Sequence, residues 1–378
     1  MEGNRHHRVA EITENQFFAL LRSGLWNEVP DASLFAGGVD WEALYTLSFH
    51  QAVVPLVTDG INRLPHACLP AEEQRLDPFL GDMMGTVRRN SQLDAFIPKV
   101  FGALEGIPAV LVKGQALAQD YLDPSRRQPG DIDLLVSPDS YEAAKQVLLP
   151  KATRVAEEMP GILHQGMFFK SVEVEIHGSI STLMSRKLDR KLAALLSEQF
   201  DGREFPTVAI GGAQIPVPEA NFNALYVFVH FLKHYWSGGV GLRQPMDWMT
   251  FVSVHKRDIH PVILERQLEE LGLVHVWKVF TGFAQEYLGC PAEKLPLAAA
   301  PDSRKDARIW KYIQWSGNFG KKRDRSRGKE PFLVRKIHSL WRLVIVDRLR
   351  HFRVFPKESV RFFLGAFGYG LQRLIDGE

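Results

Sequence analysis

The sequence predicts an α+β protein in which a small mixed sheet lies between helical sections. Before residue 106, apolar residues recur every three or four positions, which is typical of helices. Short β-branched and alternating segments follow between residues 107 and 215, and helical spacing then returns. We therefore divide the chain into a helical section (1–106), an α/β core (107–215), a helical section closing a cleft (216–300) and a basic C-terminal helical region (301–378).

The N-terminal section is predicted to contain three long helices. Two of them, ENQFFALLRSGLW at residues 14–26 and DWEALYTLSFHQAVVPLVTDGINRL at residues 40–64, have apolar residues at three- and four-residue spacing. Asp40 is suited to cap the second helix, because its carboxylate can accept a backbone N–H. A third helix is predicted over residues 77–104, and the Gly-Ile-Pro sequence at 106–108 ends it before a strand.

The α/β core is predicted from short strands and their connections. AVLVK at residues 109–113 is a β-branched run, and GQALAQDYL then predicts a short helix. The loop DPSRRQPG leads into DIDLLV at 131–136, a second strand, and a helix follows near 140–149. VEVEIH at 172–177 alternates strictly between apolar and polar residues. We expect a sheet of about four or five strands.

The C-terminal half is predicted to be helical and electrostatically distinct. Helices are expected over NALYVFVHFLKHYW, over RQPMDWMTFVSVH and near 261–288, and GNFGKKRDRSRGKEP at 317–331 is the expected linker. Residues 301–378 hold 19 Lys and Arg against 8 Asp and Glu, a net charge of +11, which leaves −9 for residues 1–300. Three interpretations of the basic region stay open: a solvated helix pair, peripheral contact with an anionic membrane, or contact with nucleic acid.

Composition argues against several classes of protein. Cys68 and Cys290 are the two cysteines in the sequence, and neither belongs to a CxxC or Cys/His cluster, so we expect neither a disulfide framework nor a thiolate zinc site. The sequence has no apolar run of the length that a signal peptide or a membrane span needs. We therefore expect a soluble, cytoplasmic protein.

Three acidic side chains form the candidate catalytic cluster. In a strand, Asp131 and Asp133 point to the same face, and two carboxylates so close resist joint ionisation unless a cation compensates them. In VEVEIH, Glu173, Glu175 and His177 share one face, so either glutamate could join the pair if this strand lies beside DIDLLV. Oxygen ligands of this kind suit Mg²⁺, and two such ions can assist an in-line phosphoryl displacement.

A phosphate-binding turn is predicted immediately upstream. Lys113, Gly114 and Gln115 stand where a strand turns into a helix, so backbone N–H groups at the helix N-terminus can approach an anion. Lys113, Arg126 and Arg127 supply positive charge nearby. Lys113 at the end of a buried strand can instead extend to solvent, and Arg127 can instead form a salt bridge.

These motifs together resemble a known family. The run VLVKGQALAQDYLDPSRRQPGDIDLLV, followed by VEVEIH, resembles the uncharacterised nucleotidyltransferase family of prokaryotes within the polymerase-β-like superfamily. HFLKHYWSGGVGLRQPMDW is similar to the family's helical segment with two histidines and a downstream Asp. The family's motif falls on Lys113, Gly114, Tyr121, Asp123, Pro124, Arg127, Gly130 to Val136, Glu175 and His177.

The resemblance implies a polymerase-β-like fold and a specific reaction. A nucleoside monophosphate would pass from an NTP, such as ATP, to an acceptor hydroxyl or phosphate, with release of pyrophosphate. The implied metal ligands, for two Mg²⁺ ions, are Asp131, Asp133 and Glu175. The implied nucleotide-binding residues are Lys113, Gly114, Gln115, Arg127 and His177.

The acceptor and two other functions stay open. A small molecule, a carrier-linked metabolite or a protein side chain suits the net charge of −9 on residues 1–300 better than a long nucleic acid does. A catalytically silent nucleotide-binding or scaffold protein is one alternative, because Gln115 replaces the superfamily's phosphate-binding Ser and Gly178 replaces an aromatic residue. A phosphotransferase that uses the same metal site is the other.

The downstream helices add further candidates. His230 and His234 are four residues apart on one helix face, so they can bind a structural metal, line the nucleotide cleft or pack by hydrogen bonding. Arg243 and Asp247 have the same spacing, and we expect them to form a pair that stabilises their helix.

Overall fold

The N-terminal part of the chain is helical. The computed structural model describes residues 2–158, 162–182, 185–202, 204–237, 239–318 and 347–375. Four helices come first: α1 (Glu2–Trp26), α2 (Trp41–Gln51), α3 (Val54–Ile61) and α4 (Asp77–Ala103). Asp40 caps α2 as expected, since its carboxylate accepts the Ala43 N–H at 3.0 Å.

One helix predicted in this section is in fact two. Ala52 adopts a left-handed conformation with φ of 57° and ends α2, so the helix expected over residues 40–64 is interrupted. Pro55 lies in the first turn of α3, where its missing N–H costs no helical hydrogen bond. The apolar spacing continues across this break, which is why the sequence did not reveal it.

A five-stranded mixed sheet forms the centre of the fold, and the α+β class is confirmed. Its strands are β1 (Ala109–Val112), β2 (Ile132–Val136), β3 (Arg154–Val155), β4 (His164–Phe169) and β5 (Val172–His177), in the order β1-β2-β5-β4-β3. Strands β2 and β5 run parallel, and the other neighbours are antiparallel. Helices α5 (Gly114–Ala118) and α6 (Tyr141–Leu148) connect the strands, and β6 (Thr207–Ile210) with β7 (Ala213–Pro216) forms a separate hairpin.

The two faces of the sheet have different roles. Val174 and Ile176 of β5 are fully buried, in one hydrophobic cluster with Ile97 of α4 and Leu148 of α6. The alternate residues of β5 are acidic or imidazole side chains and remain partly exposed. One face of the sheet therefore packs against helices. The other face is polar along β5, where it borders a cleft, and apolar along β1, where it packs into a second hydrophobic cluster.

Further helices follow the sheet along the chain. They are α7 (Arg186–Gln199), α8 (Ala220–Ser237), α9 (Arg243–Val254), α10 (Pro261–Leu271), α11 (Val274–Leu288), α12 (Ser303–Ser316) and two C-terminal helices, Asp347–Phe352 and Pro356–Ile375. The helix expected near 261–288 is divided where Gly272, with φ of 67°, ends α10. Residues 319–346, which include most of the predicted linker, lie outside the described residues. Within the described ranges, no helix is long and apolar enough to cross a membrane.

A buried ion pair joins the sheet to the helical section. Asp247 on α9 accepts hydrogen bonds from Arg127 Nε at 2.7 Å and Arg127 Nη2 at 2.8 Å. The Tyr121 hydroxyl donates to the same carboxylate at 2.8 Å. Neither charged side chain is more than 6% exposed. The expected pairing of Asp247 with Arg243 is therefore wrong, because both Asp247 oxygens accept from Arg127 on the loop before β2, while Arg243 donates to the Gln128 carbonyl at 2.9 Å.

Removing one partner of this pair tests its structural role. We expect Arg127→Met to lower the free energy of unfolding by about 3–5 kcal/mol, because Asp247 would stay buried without its bidentate partner. Urea denaturation measures the change. Arg75→Met is the matched control, since the Arg75–Glu72 pair is 57% and 69% exposed, and its loss should cost less than about 1 kcal/mol. Equal small losses in both variants would contradict the interpretation.

Candidate active site

The parallel pairing of β2 and β5 brings the predicted carboxylates together. Asp133 and Glu175 are direct partners in this register, and Asp131 immediately precedes β2. One oxygen from each of the three side chains lies within 4.8 Å of the other two. Glu173 is displaced by two positions, opposite Phe168, and does not line the cleft. The structure therefore places Glu175, and not Glu173, beside the two aspartates.

Asp133 is the most enclosed of the three carboxylates. Its Oδ1 atom lies 2.5 Å from Lys113 Nζ and 2.8 Å from His177 Nε2. Burial raises the pKa of Asp133, but Lys113 and His177 outweigh burial and hold it below the usual value. Burial likewise lowers the pKa of His177, while Asp133 and Glu175 raise it above the usual value. Each group thus favours the charged form of the other.

Asp131 and Glu175 are affected in opposite directions. The nearby charge of Asp133, with a further contribution from burial, raises the pKa of Asp131 to about 6. Burial also raises the pKa of Glu175, but the neighbouring His164 and His177 imidazoles outweigh it and hold that pKa well below the usual range. Asp131 is therefore the carboxylate of the three whose ionised form is least favoured.

The turn before α5 holds Lys113 in a sparsely populated backbone conformation. Lys113 has φ of 56° and precedes Gly114, whose φ is 39°. A non-glycine residue at such an angle costs of order 1–3 kcal/mol and persists where the surroundings impose it. A Cβ on Gly114 would lie 3.2 Å from the Asp131 carbonyl oxygen. The turn therefore brings the backbone close to Asp131 while the Lys113 side chain reaches Asp133.

The cleft has a second wall, formed by α8 and α9, that carries basic groups. The cavity measures about 290 Å³, and the lining of this wall includes Tyr226, His230, Lys233, His234 and Arg243. Burial, reinforced by Lys113, lowers the pKa of His230 and of Lys233, and lowers that of His234 to about 3. Burial and Arg127 lower the pKa of Arg243. His230 and His234 are therefore neutral imidazoles near pH 7, and Lys233 and Arg243 are the basic groups that this wall presents to the carboxylates, a setting that favours an anionic ligand.

Several residues that sequence reasoning expected to bind nucleotide occupy other positions. The Gln115 side chain donates to Asp94 of α4 at 2.6 Å, and Gln115 is not among the described cleft-lining residues. Arg127 lines the cleft but is engaged by Asp247. Arg126 pairs with Asp59 at 3.0 Å, away from the cleft. Lys113, Gly114 and His177 do line the cleft.

The cleft residues that the sequence reasoning missed include Tyr226, Lys233 and His164. Tyr226 and Lys233 lie on the same face of α8 as His230, at spacings of four and three residues, so the helix periodicity carried a signal for them. His164 on β4 also lines the cleft. Its alternation within HQGMFF is weak, and only the pairing of β4 with β5 brings it to this face.

Close packing explains why the residue directly after β5, Gly178, is a glycine. A Cβ built on Gly178 would lie 2.7 Å from the Tyr141 Cβ, closer than real Cβ contacts allow. Tyr141, at the start of α6, is fully buried against this strand end. An aromatic residue at position 178 is therefore incompatible with the way α6 packs here.

The carboxylate cluster fits a divalent cation. Its donors are all carboxylate oxygens, which hard cations prefer. Asp133 raises the pKa of Asp131, and a cation bound between the two carboxylates would relieve this repulsion. The cluster can therefore hold a metal ion through Asp131, Asp133 and Glu175.

Charge repulsion in the cluster predicts a stabilising substitution. In EDTA, we expect Asp131→Asn to raise the thermal unfolding midpoint above that of the wild type, because the repulsion between Asp131 and Asp133 is removed. Differential scanning calorimetry at neutral pH measures the shift. Asp139→Asn, at an exposed position, is the control. It should change the free energy of unfolding by less than about 0.5 kcal/mol. A lower midpoint for Asp131→Asn would show that Asp131 serves the fold.

Comparison with known proteins agrees with this geometry. No curated protein and no solved structure matches the chain. Residues 37–289, about two thirds of the chain, match the family described as uncharacterised nucleotidyltransferase. The matched residues include the strained turn at Lys113, the three carboxylates and the basic wall. The chain therefore belongs to this nucleotidyltransferase family.

Proposed function

We propose that the protein is a metal-dependent nucleotidyltransferase with a polymerase-β-like fold. It transfers a nucleoside monophosphate from an NTP, such as ATP, to an acceptor hydroxyl or phosphate. The acceptor oxygen forms a bond to the α-phosphorus and loses its proton. The bond from the α-phosphorus to the oxygen that bridges to the β-phosphate breaks, and pyrophosphate leaves with that oxygen.

The arrangement of charge across the cleft carries this proposal. Asp131, Asp133 and Glu175 face a wall that bears Lys233 and Arg243. A carboxylate cluster alone binds metal, and a basic wall alone binds an anion. The two together suit a polyphosphate whose negative charge is shared between metal ions and basic side chains.

The carboxylates have separate roles in the proposed reaction. Asp131 and Asp133 hold two Mg²⁺ ions, and Glu175 completes the site beside the acceptor oxygen. Bound Mg²⁺ supplies charge neutralisation at the phosphates and favours loss of the acceptor proton. Lys113 and His177 position the Asp133 carboxylate, since both contact its Oδ1 atom. They therefore act on the site through Asp133.

Phosphate binding is assigned to the opposite wall and to the turn. Lys233 and Arg243 are cationic groups on the lining of the cleft and supply donors to the β- and γ-phosphates. Gly114 lets the backbone approach the same phosphates, because it carries no side chain toward Asp131. Gln115 does not belong to this set, because its side-chain amide donates a hydrogen bond to Asp94. Arg127 supports the cleft through its pair with Asp247.

The acceptor belongs to one of three chemical classes. A small molecule, a carrier-linked metabolite or a protein side chain suits the net charge of −9 on residues 1–300 better than a long nucleic acid does. The product released with the transferred group distinguishes this reaction from a phosphotransferase that uses the same metal site. Pyrophosphate identifies nucleotidyl transfer, and a nucleoside diphosphate identifies phosphoryl transfer.

Two glutamates on one strand face provide a matched test of the metal site. Calorimetric titration of ATP, CTP, GTP and UTP with Mg²⁺ identifies the donor that the wild type binds. We expect Glu175→Gln to reduce pyrophosphate release by roughly 100-fold or more, because a ligand that stabilises transition-state charge is lost. Glu173→Gln should retain activity, since Glu173 lies outside the cleft lining.

The outcomes of this test separate the proposed functions. Equal activity of the two glutamine variants would remove Glu175 from the site. Absence of binding by every nucleotide to folded wild type would reject the enzyme and favour a nucleotide-independent scaffold. Loss of Mg²⁺-dependent binding in Asp131→Asn/Asp133→Asn, with the fold retained by circular dichroism, would support the assignment of both aspartates.

The basic wall is tested by a lysine substitution. We expect Lys233→Met to raise the Kd for the Mg²⁺–NTP complex roughly 10- to 100-fold, because a hydrogen bond to a charged group contributes about 1.5–3 kcal/mol. Lys278→Met on α11 is the control, because Lys278 is 43% exposed, 3.8 Å from Glu265 and outside the cleft lining. Isothermal titration calorimetry compares the two. An unchanged Kd for Lys233→Met would assign phosphate binding to other groups.

A further inference from the structure

Two histidines lie side by side at the edge of the cleft. His164 on β4 and His177 on β5 are direct partners in the antiparallel register, so their side chains project from the same face. Their rings are stacked, with centroids 4.7 Å apart and an interplanar angle of 23°. The two imidazoles thus face the cleft as a pair.

Glu175 completes a cluster with this pair. Its Oε2 atom lies 3.2 Å from His164 Nε2 and 3.4 Å from His177 Nε2. One donor atom from each of the three residues lies within 4.8 Å of the other two. Gly166 stands opposite Glu175 in the register, so no β4 side chain separates Glu175 from His164.

The His164 nitrogen is without a hydrogen bond. Nε2 of His164 is buried, and within the described part of the chain it has no hydrogen-bonding partner. It is close to Glu175 Oε2, but the two atoms are not aligned for an N–H to oxygen bond. The buried nitrogen is thus available to a cation held between it and Glu175, and binding of the cation would displace any proton that the imidazoles carry.

Two of the three separations between these donor atoms match a tetrahedral metal site. With metal–ligand distances of about 2.0–2.1 Å, neighbouring tetrahedral ligands lie roughly 3.3–3.4 Å apart. The two nitrogen-to-oxygen distances in the cluster, 3.2 and 3.4 Å, are close to this value. Two imidazoles and one carboxylate are also a ligand set that Zn²⁺ accepts with one position open.

We propose that His164, Glu175 and His177 form a transition-metal site for an ion such as Zn²⁺, beside the all-oxygen site of Asp131, Asp133 and Glu175. The donor chemistry separates the two sites, because imidazole nitrogen suits Zn²⁺ and related ions, whereas carboxylate oxygen suits Mg²⁺. Glu175 belongs to both sets. Occupancy of one site therefore alters the other, and the nucleotide cleft can respond to transition metals.

Cobalt reports this site directly. Four-coordinate Co²⁺ bound by imidazoles absorbs visible light strongly, whereas six-coordinate Co²⁺ with oxygen ligands absorbs weakly. We expect the metal-free wild type to develop strong visible bands with about one equivalent of Co²⁺. Zn²⁺ should abolish these bands, and an equal concentration of Mg²⁺ should leave them unchanged.

Four variants locate the bound ion. His164→Gln and His177→Gln should each lose the strong bands, and circular dichroism with thermal unfolding identifies any variant that fails to fold. Asp131→Asn should keep the bands, because Asp131 belongs only to the oxygen site. His6→Gln/His7→Gln removes two adjacent histidines elsewhere in the sequence and should also keep them.

The opposite results would overturn the proposal. Bands that persist in folded His164→Gln, that vanish in His6→Gln/His7→Gln, or that vanish in Asp131→Asn would place the ion elsewhere. Folded wild type without strong bands would also reject the site.

The assignment of Glu175 to a neighbouring oxygen site rests on the proposed function, whereas the Co²⁺ spectrum does not. Mg²⁺-dependent nucleotide binding is therefore measured in parallel on the same proteins. Intact bands without nucleotide binding would refute the proposed function alone. Nucleotide binding without strong bands would refute the transition-metal site alone.

Discussion

The parallel register of β2 and β5 is the constraint on which the candidate site depends. It sets Asp133 and Glu175 side by side, with Asp131 just before the strand, and so concentrates three negative charges in a largely buried region. Such charge is tolerated only where cations compensate it. Lys113 and His177 supply part of that compensation by contacting Asp133. Lys113 makes this contact from a turn in which its own backbone φ is positive.

The cleft also requires that its two walls stay in place relative to each other. The Asp247 carboxylate on α9 accepts hydrogen bonds from Nε and Nη2 of Arg127, and the Tyr121 hydroxyl donates a third. A buried ion pair adds little net stability compared with a well-packed apolar contact, because both charges lose their water. Its directional geometry nevertheless defines how the loop before β2 meets the helical wall. We therefore regard Arg127 as a support of the cleft.

The secondary structure follows local periodicity except where a single residue interrupts it. Residues 40–64 have apolar spacing suited to one helix, yet Ala52 is left-handed and divides it. The apolar spacing could not reveal this break, because alanine is among the best helix formers and the conformation of the buried Ala52 is imposed by packing. The strand β5 was predictable for the opposite reason, since strict alternation in VEVEIH requires one apolar and one polar face.

The sequence by itself determined the α+β class and brought Asp131, Asp133 and Glu175 into one hypothesis, because strand alternation is a local property. The tertiary structure places Glu175, and not Glu173, beside the two aspartates, since their proximity depends on the register of two strands about forty residues apart. It also decided the partners of distant charges. Arg127 meets Asp247 across 120 positions, and no local pattern encodes that contact. Pairings of this kind depend on how whole elements pack, so only the folded chain contains them.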